Sequence, residues 1–428
     1  MAEIKEMYKK VVKDKFPDSI KIDMGGQVLE YHKKTWNIYD ADEKADVERG
    51  IRYGENPDQP AALYELTNGG ISLGDVRFFD PSSGLVSRIT EADQLQVGKH
   101  PSKINLTDVD NALNILRFLD RKPACSIMKH NNPCGAAYGA TTALAFEKAF
   151  WCDRIAAFGG AVVFTRTVDV ETAKAMAPYY FEVVCAPDFE GPALDILKKW
   201  KNLRLLQIRE IERLQKYKTR RIIDFKSLND GGLIVQESQP FTIKGSEDLK
   251  AAQTTHKGET YKIRRMPTEK ELEDMLFGWY VESGVSSNSA LFIKNEATVA
   301  IGTGEQDRVG VVEIATFKAY TKYLDGLVFK KFGVPYAVFR LEAEAGKRRM
   351  EELKELEEKT QAEKGGLKGS VVVSDGFFPF RDGVDAAIRE GATGVIQPGG
   401  SDRDYEVIEA CNESDVTMVF TGQRLFKH

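Results

Sequence analysis

Long apolar runs are missing from this sequence. Nowhere do about 20 consecutive residues stay apolar, the length needed to cross a bilayer. The charged start MAEIKEMYKKVVKDKF also lacks the apolar segment of a signal peptide. Of the 428 residues, 42% are hydrophobic and 29% are charged, which is typical of a soluble globular protein. At roughly 150 residues per domain we expect two or three domains and no membrane association.

Cysteines are few, and charge of one sign does not dominate. The five cysteines are odd in number and scattered, at Cys125, Cys134, Cys152, Cys185 and Cys411. This pattern argues against a disulfide framework and predicts reduced thiols in the cytoplasm. A formal net charge of −5 gives no electrostatic basis for binding nucleic acid. We therefore expect a cytoplasmic protein without a nucleic-acid partner.

Three common kinds of site lack their signatures. Zinc deaminases combine an H-x-E motif with P-C-x-x-C, but no H-x-E occurs here, and Ala137 stands three residues after Cys134. The remaining histidines lack the i,i+3 or i,i+4 spacing of ligand pairs. The glycine clusters GTGEQ (302–306) and QPGGSDRD (397–404) are neither a phosphate-binding P-loop nor a dinucleotide fingerprint. The sequence predicts no zinc, nucleoside triphosphate or dinucleotide site.

Short apolar runs alternate with helical patterns from about residue 50. Buried strands are predicted for runs such as ACSIM (124–128), AAFGGAVVF (156–164) and FEVVCAP (181–187). Helical spacing lies between them, and the same alternation returns after about residue 265, with one helix predicted from Val312 to Tyr323. This order indicates an α/β fold.

The boundaries follow from composition. We expect an N-terminal extension at 1–49, a first lobe at 50–245 and a second lobe at 246–428. The polar stretch 237–262 is interpreted as the linker between the lobes. The charged run 342–366 predicts a solvated helix that ends at a glycine pair.

The segment MKHNNPCGAA (128–137) carries two candidate reactive groups after a predicted strand. Cys134 could be a nucleophile, given a partner histidine, or it could fill a small apolar gap in a turn. Lys129 and His130 can act as a cation and a base, because imidazole changes charge near neutral pH and a neighbouring ammonium favours its neutral form. They can equally be surface residues at a strand end. The residues alone leave both alternatives open.

Ten motifs occur in an order that resembles one known family. They are IRYGENPDQPAALY (51–64), QLQVGK (94–99), MKHNNPCGAA (128–137), DRIAAFGGAVVF (153–164), GGLIVQ (231–236), SNSALFIKN (287–295), IGTGEQDRV (301–309), SDGFFPFRDGVD (374–385), VIQPGGSDRD (395–404) and RLFKH (424–428). Together they resemble the transformylase domain of the bifunctional purine-biosynthesis enzyme, AICAR transformylase/IMP cyclohydrolase. The resemblance covers roughly residues 50–428, and SDGFFPFRDG and RLFKH are its most specific parts.

The resemblance carries structural expectations. It implies an α/β fold of two cytidine-deaminase-like α/β/α lobes with mixed sheets and no zinc. It also implies a homodimer with active sites between subunits, and it allows a structural monovalent cation. The family's cyclohydrolase domain has no counterpart among these motifs, so we expect a stand-alone transformylase that works with a separate IMP cyclohydrolase.

The implied reaction transfers a formyl group from 10-formyltetrahydrofolate to the ring amine of aminoimidazole carboxamide ribonucleotide (AICAR). The resemblance makes His130 the general base, with Lys129 stabilising the developing charge and Asn288 as a third catalytic residue. The alternative is a catalytically weak AICAR-binding protein on the same fold, and the retention of Lys129 and His130 argues against it.

The remaining site residues follow from the same motifs. Residues expected to bind the nucleotide or line its cleft are Arg52, Tyr53, Phe158, Gly159, Glu182, Arg308, Phe377, Arg424 and His428. Residues expected to contact the folate are Val309, Phe378, Pro379, Phe380 and Asp382. The chain departs from the family at Asp58 and Lys427, where histidines are usual. The motifs therefore support the identity of the general base more strongly than the identity of the formyl donor.

Overall fold

The computed structural model describes residues 11–40, 44–98 and 100–428. Helices and strands alternate along most of this length, which confirms the predicted α/β class. Contacts group the chain into two compact units: residues 1–113 with 161–241, and residues 114–160 with 242–428. The lobe boundaries derived from the sequence stay a prediction, because contact grouping does not test which segments fold independently.

The N-terminal part of the described chain consists mainly of antiparallel strands. They are β1 (Ser19–Met24), β2 (Gln27–Lys33), β3 (Trp36–Asp40), β4 (Ala45–Arg49), β5 (Tyr64–Gly69), β6 (Ile71–Leu73), β7 (Val76–Phe78) and β8 (Gln94–Gln96), and helix α1 (Lys103–Leu116) follows them.

The middle of the chain alternates between short strands and short helices. In order they are β9 (Ala124–Lys129), β10 (Asn132–Tyr138), α2 (Thr142–Cys152), α3 (Arg154–Ala157), β11 (Ala161–Phe164), α4 (Val170–Met176), β12 (Val183–Ala186), α5 (Gly191–Leu197), β13 (Arg204–Gln207), β14 (Ile223–Ser227) and β15 (Leu233–Glu237).

The C-terminal part repeats this alternation with longer helices. Its elements are β16 (Lys250–Ala251), β17 (Gln253–His256), β18 (Glu259–Lys262), α6 (Glu269–Glu282), β19 (Ala290–Ile293), β20 (Thr298–Gly302), α7 (Arg308–Phe332), α8 (Tyr336–Glu344), α9 (Lys354–Ala362), β21 (Val371–Ser374), α10 (Asp382–Arg389), β22 (Gly394–Gln397), α11 (Asp404–Glu413) and β23 (Thr417–Phe420).

In the first unit, β11, β12 and β13 are parallel neighbours, and β8 pairs with β13 in the antiparallel direction. All three parallel strands are buried along their length. They are short continuous apolar runs rather than alternating ones, as expected for strands covered on both faces. Arg204 and Gln207, the first and last residues of β13, are the exceptions, and Arg204 is part of the candidate site described below.

In the second unit, β9 and β10 form an antiparallel hairpin, and six further strands form a mixed sheet in the order β16-β23-β22-β21-β19-β20. The strands β21, β22 and β23 are parallel, whereas β19 runs antiparallel to β21. Mixed sheets are therefore confirmed, while the closer likeness to cytidine deaminases stays a prediction.

The strand predicted at 156–164 is wrong in its first half. The Asp153 carboxylate accepts a hydrogen bond from the backbone N–H of Ala156 and caps the short helix α3. Gly159 follows with a positive φ of 73°, a conformation that glycine adopts without strain. The strand therefore begins at Ala161.

The interpretation of 237–262 as a linker is also wrong. This polar stretch contains β16, which pairs with β23, and the hairpin formed by β17 and β18. Most of its residues are exposed, so the stretch lacks the apolar alternation by which a strand is recognised in a sequence.

The charged run at 342–366 does not form one solvated helix. Helix α8 ends at Glu344, Gly346 has a φ of 72°, and α9 begins at Lys354. Leu353 and Leu356 are buried against Val328 of α7 in a local apolar cluster. Helix α7 itself extends well beyond the predicted 312–323, because Asp307 caps its first turn and Gly333 ends it in the left-handed conformation.

Candidate active site

The Lys129–His130 pair lies at the turn of the β9–β10 hairpin. Lys129 pairs with Asn132 across the hairpin, and the two residues between them, His130 and Asn131, have φ angles of 56° and 61°. Two successive positive φ angles at the centre of a two-residue hairpin loop indicate a type I′ turn. The turn leaves the side chain of His130 exposed, as a general base requires.

Lys129 is held beside this turn by the segment that follows α3. Its Nζ donates a hydrogen bond to the carbonyl oxygen of Phe158 at 2.8 Å. The Phe158 ring itself is 62% exposed, and Gly159 comes next. An ammonium group has three N–H donors, so this bond leaves two for a ligand. The structure thus brings together four of the predicted residues, Lys129, His130, Phe158 and Gly159.

Cys134 lies in strand β10 and not in a turn, so its predicted place is wrong. It is buried at a register shift between Pro133 and Gly135, where a strand tolerates proline. Burial raises the pKa of the Cys134 thiol to about 12, and the charge of Asp153 raises it further. Because the thiolate is the reactive form, this environment argues against a nucleophile.

The amide of Asn132 ties the hairpin to the segment that carries Asn288. Its Oδ1 accepts a hydrogen bond from the backbone N–H of Ser286 at 2.9 Å, and Oγ1 of Thr303 lies 3.2 Å from it. The Thr303 hydroxyl in turn donates to the Ser286 carbonyl oxygen at 2.8 Å. Two residues further on, the backbone N–H of Asn288 donates to the Glu305 carbonyl oxygen.

Arg308 links Asn288 to strand β21. It is the first residue of α7 and is 8% exposed. Its Nη2 donates to Oδ1 of Asn288 at 2.8 Å, while Nη1 donates to the Ser374 hydroxyl at 3.0 Å and to the Asp375 carboxylate. Such a fork of donors fixes the plane of the guanidinium. Asn288 and Arg308 therefore form one rigid pair, with Val309 half-buried directly after them.

Glu282 lies behind this pair, at the last residue of α6, and has no exposed surface. Its Oε1 accepts a hydrogen bond from the Ser289 hydroxyl at 2.6 Å, and the Ser289 carbonyl oxygen accepts one from Nη1 of Arg308 at 3.1 Å. Burial raises the pKa of Glu282 well above its ordinary value, and the charge of Asp375 raises it further.

The predicted aromatic wall is present in part. Phe377 and Phe380 are exposed and Pro379 is half-buried, and the guanidinium of Arg403 lies 5.1 Å from the Phe380 ring centre. Phe378, in contrast, has no exposed surface and belongs to the core. The structure assigns its ring to the core and not to a ligand-facing wall.

Asp382 follows the wall as the first residue of α10. Its side chain is exposed, and its Oδ1 accepts a hydrogen bond from the backbone N–H of Gly383. One carboxylate oxygen therefore has an internal partner, and the group still faces solvent.

The C-terminal residues lie against the same network. The backbone N–H of Leu425 donates to the Asp375 carbonyl oxygen at 3.0 Å. The Phe426 ring stands between two cations, with the guanidinium carbons of Arg424 and Arg308 at 4.2 and 6.0 Å from its centre. The His428 ring lies 6.0 Å from that of Phe426. The structure thereby brings Arg424 and His428 close to Arg308.

A second group of predicted residues lies in the first unit. Nη2 of Arg52 donates to the Tyr53 hydroxyl at 2.9 Å, and the backbone N–H of Lys103 donates to the Tyr53 carbonyl oxygen. The Glu182 carboxylate accepts a hydrogen bond from Nδ2 of Asn105 at 2.9 Å and lies 3.6 Å from Nη1 of Arg204.

This group contains more buried positive than negative charge. Arg52 and Arg204 are 4% and 1% exposed. Within the described residues, Nε and Nη1 of Arg52 and Nε of Arg204 are buried without a hydrogen-bond partner. Burial lowers the pKa of Arg204 to about 10, and the charge of Arg52 lowers it further. Two guanidinium groups beside the single carboxylate of Glu182 form an environment that favours an anion.

His100 lies beside the two arginines as a neutral base. Its Nε2 donates to the Gly50 carbonyl oxygen, and it is 7% exposed. Burial lowers the pKa of His100 to about 4, and the charges of Arg204 and Arg52 lower it further, while the bond to Gly50 opposes the shift.

The sequence-based site does not include the charged residues Arg204, Glu282 and Asp375. Asp375 belongs to the SDGFFPFRDG motif and could have been chosen as an acid beside a predicted site. Glu282 gave a weaker signal, as an acid at the end of an amphipathic helix. Arg204 gave none, because one arginine in a run of lysines and arginines reads as a solvated face.

Neither a metal cluster nor a membrane span is found in the part of the chain that the structure describes. No group of three or more His, Cys, Asp or Glu side chains there could hold a metal ion. In the same ranges, no helix is long and apolar enough to cross a membrane. The predicted monovalent cation is not assigned to any residue and stays a prediction.

Comparison with known proteins shows that the chain is similar to members of one family. The family described as AICARFT/IMPCHase bienzyme matches residues 8–318. The bifunctional purine biosynthesis protein PurH of Persephonella marina is 38% identical over 379 residues, which are 88% of this chain and 59% of that protein. The PurH proteins of Aquifex aeolicus and Chlorobaculum parvum are 35% and 36% identical, covering 94% and 90% of this chain but 65% and 60% of their own lengths.

The chain therefore spans about three-fifths of the length of these relatives. The family match extends over most of the chain, in the same region as the hairpin, the Asn288–Arg308 pair and the buried arginines. On this evidence the chain belongs to the AICARFT/IMPCHase bienzyme family.

Proposed function

We propose that this protein is an AICAR formyltransferase, which transfers a formyl group from 10-formyltetrahydrofolate to AICAR in the synthesis of the purine nucleotide IMP. The observation that carries the proposal is the exposed His130 on a rigid turn, with Lys129 beside it and Asn132 tying the turn to the Asn288 segment. Membership of the family supports the choice of substrates.

The reaction needs a base, because the ring amine of AICAR is a weak nucleophile. Its lone pair is delocalised into a ring that carries an electron-withdrawing carboxamide. As the amine nitrogen attacks the formyl carbon, the imidazole of His130 accepts the amine proton. The carbonyl oxygen gains negative charge, which the ammonium of Lys129 stabilises. When the carbon–nitrogen bond to the folate breaks, the imidazolium of His130 gives up the proton that it took from the amine, and the folate nitrogen leaves with that proton.

Asn288 and Arg308 orient the acceptor in this proposal. Oδ1 of Asn288 accepts from Arg308, and Nδ2 donates to the Gln306 carbonyl oxygen at 3.0 Å, so one N–H of the Asn288 amide remains to meet the carboxamide of AICAR. The exposed wall of Phe377, Pro379 and Phe380 offers a stacking surface for the pterin, and Asp382 offers a carboxylate for its N–H groups. In the first unit, Arg52 and Tyr53 with Glu182 bind the ribose phosphate end of a nucleotide.

We also propose a cytoplasmic homodimer with active sites formed between subunits. All five cysteines are buried, unpaired thiols, which suits a reducing compartment.

The test is turnover of AICAR with 10-formyltetrahydrofolate, with an added IMP cyclohydrolase to consume the product. We expect His130→Ala to lower kcat by about 10²- to 10⁴-fold, the usual contribution of a general base, with little change in AICAR binding. His32→Ala, which removes an exposed histidine on β2, is the control. Binding of AICAR by the wild type without any turnover would support the catalytically weak binding protein instead.

A further inference from the structure

Two carboxyl groups meet behind the Asn288–Arg308 pair where water is excluded. Glu282 and Asp375 have no exposed surface, and Arg308 is the buried cation beside them. If both acids were ionised, this part of the core would carry one uncompensated negative charge. An unbalanced buried charge costs several kcal/mol, so the arrangement requires a compensating group.

The hydrogen bonds show which oxygens lack a partner. Oε1 of Glu282 accepts from Ser289, and Oδ1 of Asp375 accepts from Arg308. The other oxygen of each group, Oε2 of Glu282 and Oδ2 of Asp375, is buried without a hydrogen-bond partner among the described residues. A carboxylate oxygen can only accept, so one carboxyl group can satisfy the other only if one of the two carries a proton.

The charged groups that face Glu282 are Asp375, at the end of β21, and Arg308, at the start of α7. The Ser289 hydroxyl and the backbone N–H of Asp375 are its polar neighbours. Asp375 is the acid that forms the direct ion pair with Arg308. A neutral Glu282 would then be the donor to Asp375.

We propose that Glu282 is a neutral acid that shares its proton with Asp375, and that this buried acid pair is a positioning device for Arg308 and Asn288. A proton on Oε2 of Glu282 supplies the missing donor for Oδ2 of Asp375. The resulting group of one carboxylate and one guanidinium is electrically balanced. It clamps Arg308 from behind, so the guanidinium edge that meets Asn288 keeps one orientation.

Burial raises the pKa of Glu282, and the charge of Asp375 raises it further, as expected for an acid that stays neutral. Two interacting carboxyls that share one proton are a known arrangement at reacting centres. Here the pair lies one layer behind the residues that meet the substrate. The consequence for turnover rests on the proposed formyl transfer, whereas the shared proton does not.

The proton is tested by infrared difference spectroscopy at neutral pH. We expect the wild type to show the carbonyl stretching band of a protonated carboxyl group that is missing from Glu282→Gln. Glu269→Gln removes an exposed acid at the other end of α6 and should leave the band in place. A wild-type spectrum without this band, or one in which the band survives in Glu282→Gln, overturns the proposal.

A bound cation is the competing way to balance the pair. In that case the melting temperature of the wild type rises with added potassium or sodium chloride but not with tetramethylammonium chloride, and the rise is lost in Glu282→Gln. This result would also overturn the shared proton.

The positioning role is tested by comparing two substitutions of Glu282. Glu282→Gln keeps a donor for Asp375, and we expect kcat within about threefold of wild type. Glu282→Leu has a similar volume but no donor, and we expect kcat to fall about tenfold or more, because one buried acceptor loses its partner. Circular dichroism verifies that both variants fold. Equal losses in both variants would contradict positioning, and a wild type that binds AICAR without turnover would contradict the formyl transfer while leaving the infrared result standing.

Discussion

Arg52 and Arg204 lie side by side in the first unit, and almost none of their surface reaches water. Glu182 balances one of the two charges, and its side chain is partly exposed. A phosphate would supply the missing negative charge and accept from guanidinium donors that have no hydrogen-bond partner among the described residues. We therefore include Arg204 in the proposed phosphate site, which the resemblance places at Arg52 and Tyr53.

Arg204→Met should weaken binding of AICAR by about 10- to 100-fold, the range for losing one hydrogen bond to a charged group. Binding of the phosphate-free riboside should change much less, since the lost partner is the phosphate. Isothermal titration calorimetry with both ligands measures the difference. Arg213→Met, in an exposed turn of the same unit, is the matched control, and an equal loss for nucleotide and riboside would refute the phosphate contact.

The β9–β10 hairpin is the element on which the proposed chemistry depends. Its two-residue turn leaves no slack between Lys129 and Asn132, so the direction of the His130 side chain is set by the backbone. Gly135 adds a second constraint, because a Cβ there would lie 2.0 Å from the Ala149 carbonyl oxygen of α2. The hairpin therefore packs against α2 in a single position, which also fixes the position of the turn.

Asn131→Gly should be more stable than Asn131→Ala by about 1 kcal/mol, because alanine is strained in the left-handed conformation and glycine is not. The alanine variant should also lose more activity, since relief of the strain moves His130. Urea unfolding and kcat provide the two measurements. At Glu358, exposed within helix α9, the same pair of substitutions should give the opposite order of stability. Identical stabilities of the two Asn131 variants would argue against the turn conformation.

At the scale of the whole molecule, the proposed dimer makes a prediction about mixed subunits. A C2 dimer repeats each interface, so a site built from two subunits occurs twice. In a heterodimer of one Arg52→Met subunit and one His130→Ala subunit, one of the two sites then receives both intact residues. Such a heterodimer should keep about half of the wild-type activity, although each variant alone is inactive.

The heterodimer is obtained by co-expressing two differently tagged copies and purifying first on one tag and then on the other. Sedimentation verifies the dimer, and the formyl-transfer assay gives the activity. An inactive heterodimer would mean that Arg52 and His130 of the same subunit serve the same site.

The α/β class, the family and several of the most apolar strands follow from the sequence alone. Short apolar runs such as β12 and β19 are recognised because burial on both faces requires continuous apolar side chains. The resemblance names Lys129, His130, Asn288 and Arg308 because each lies within one of its motifs, and their roles stay predictions. The sequence did not predict the polar strands β17 and β18 or the break in the run 342–366. Exposed strands and glycine turns lack the periodic apolar side chains by which helices and strands are recognised.

Which charges are buried together is visible in the tertiary structure and not in the sequence. Arg204 with Arg52, and Glu282 with Asp375, are far apart in the chain, and a sequence records neither the distance between two side chains nor their access to water. Those two quantities set the cost of a buried charge and the partner it requires. Access to water also distinguishes three nearby phenylalanines: Phe378 packs in the core, whereas Phe377 and Phe380 face solvent.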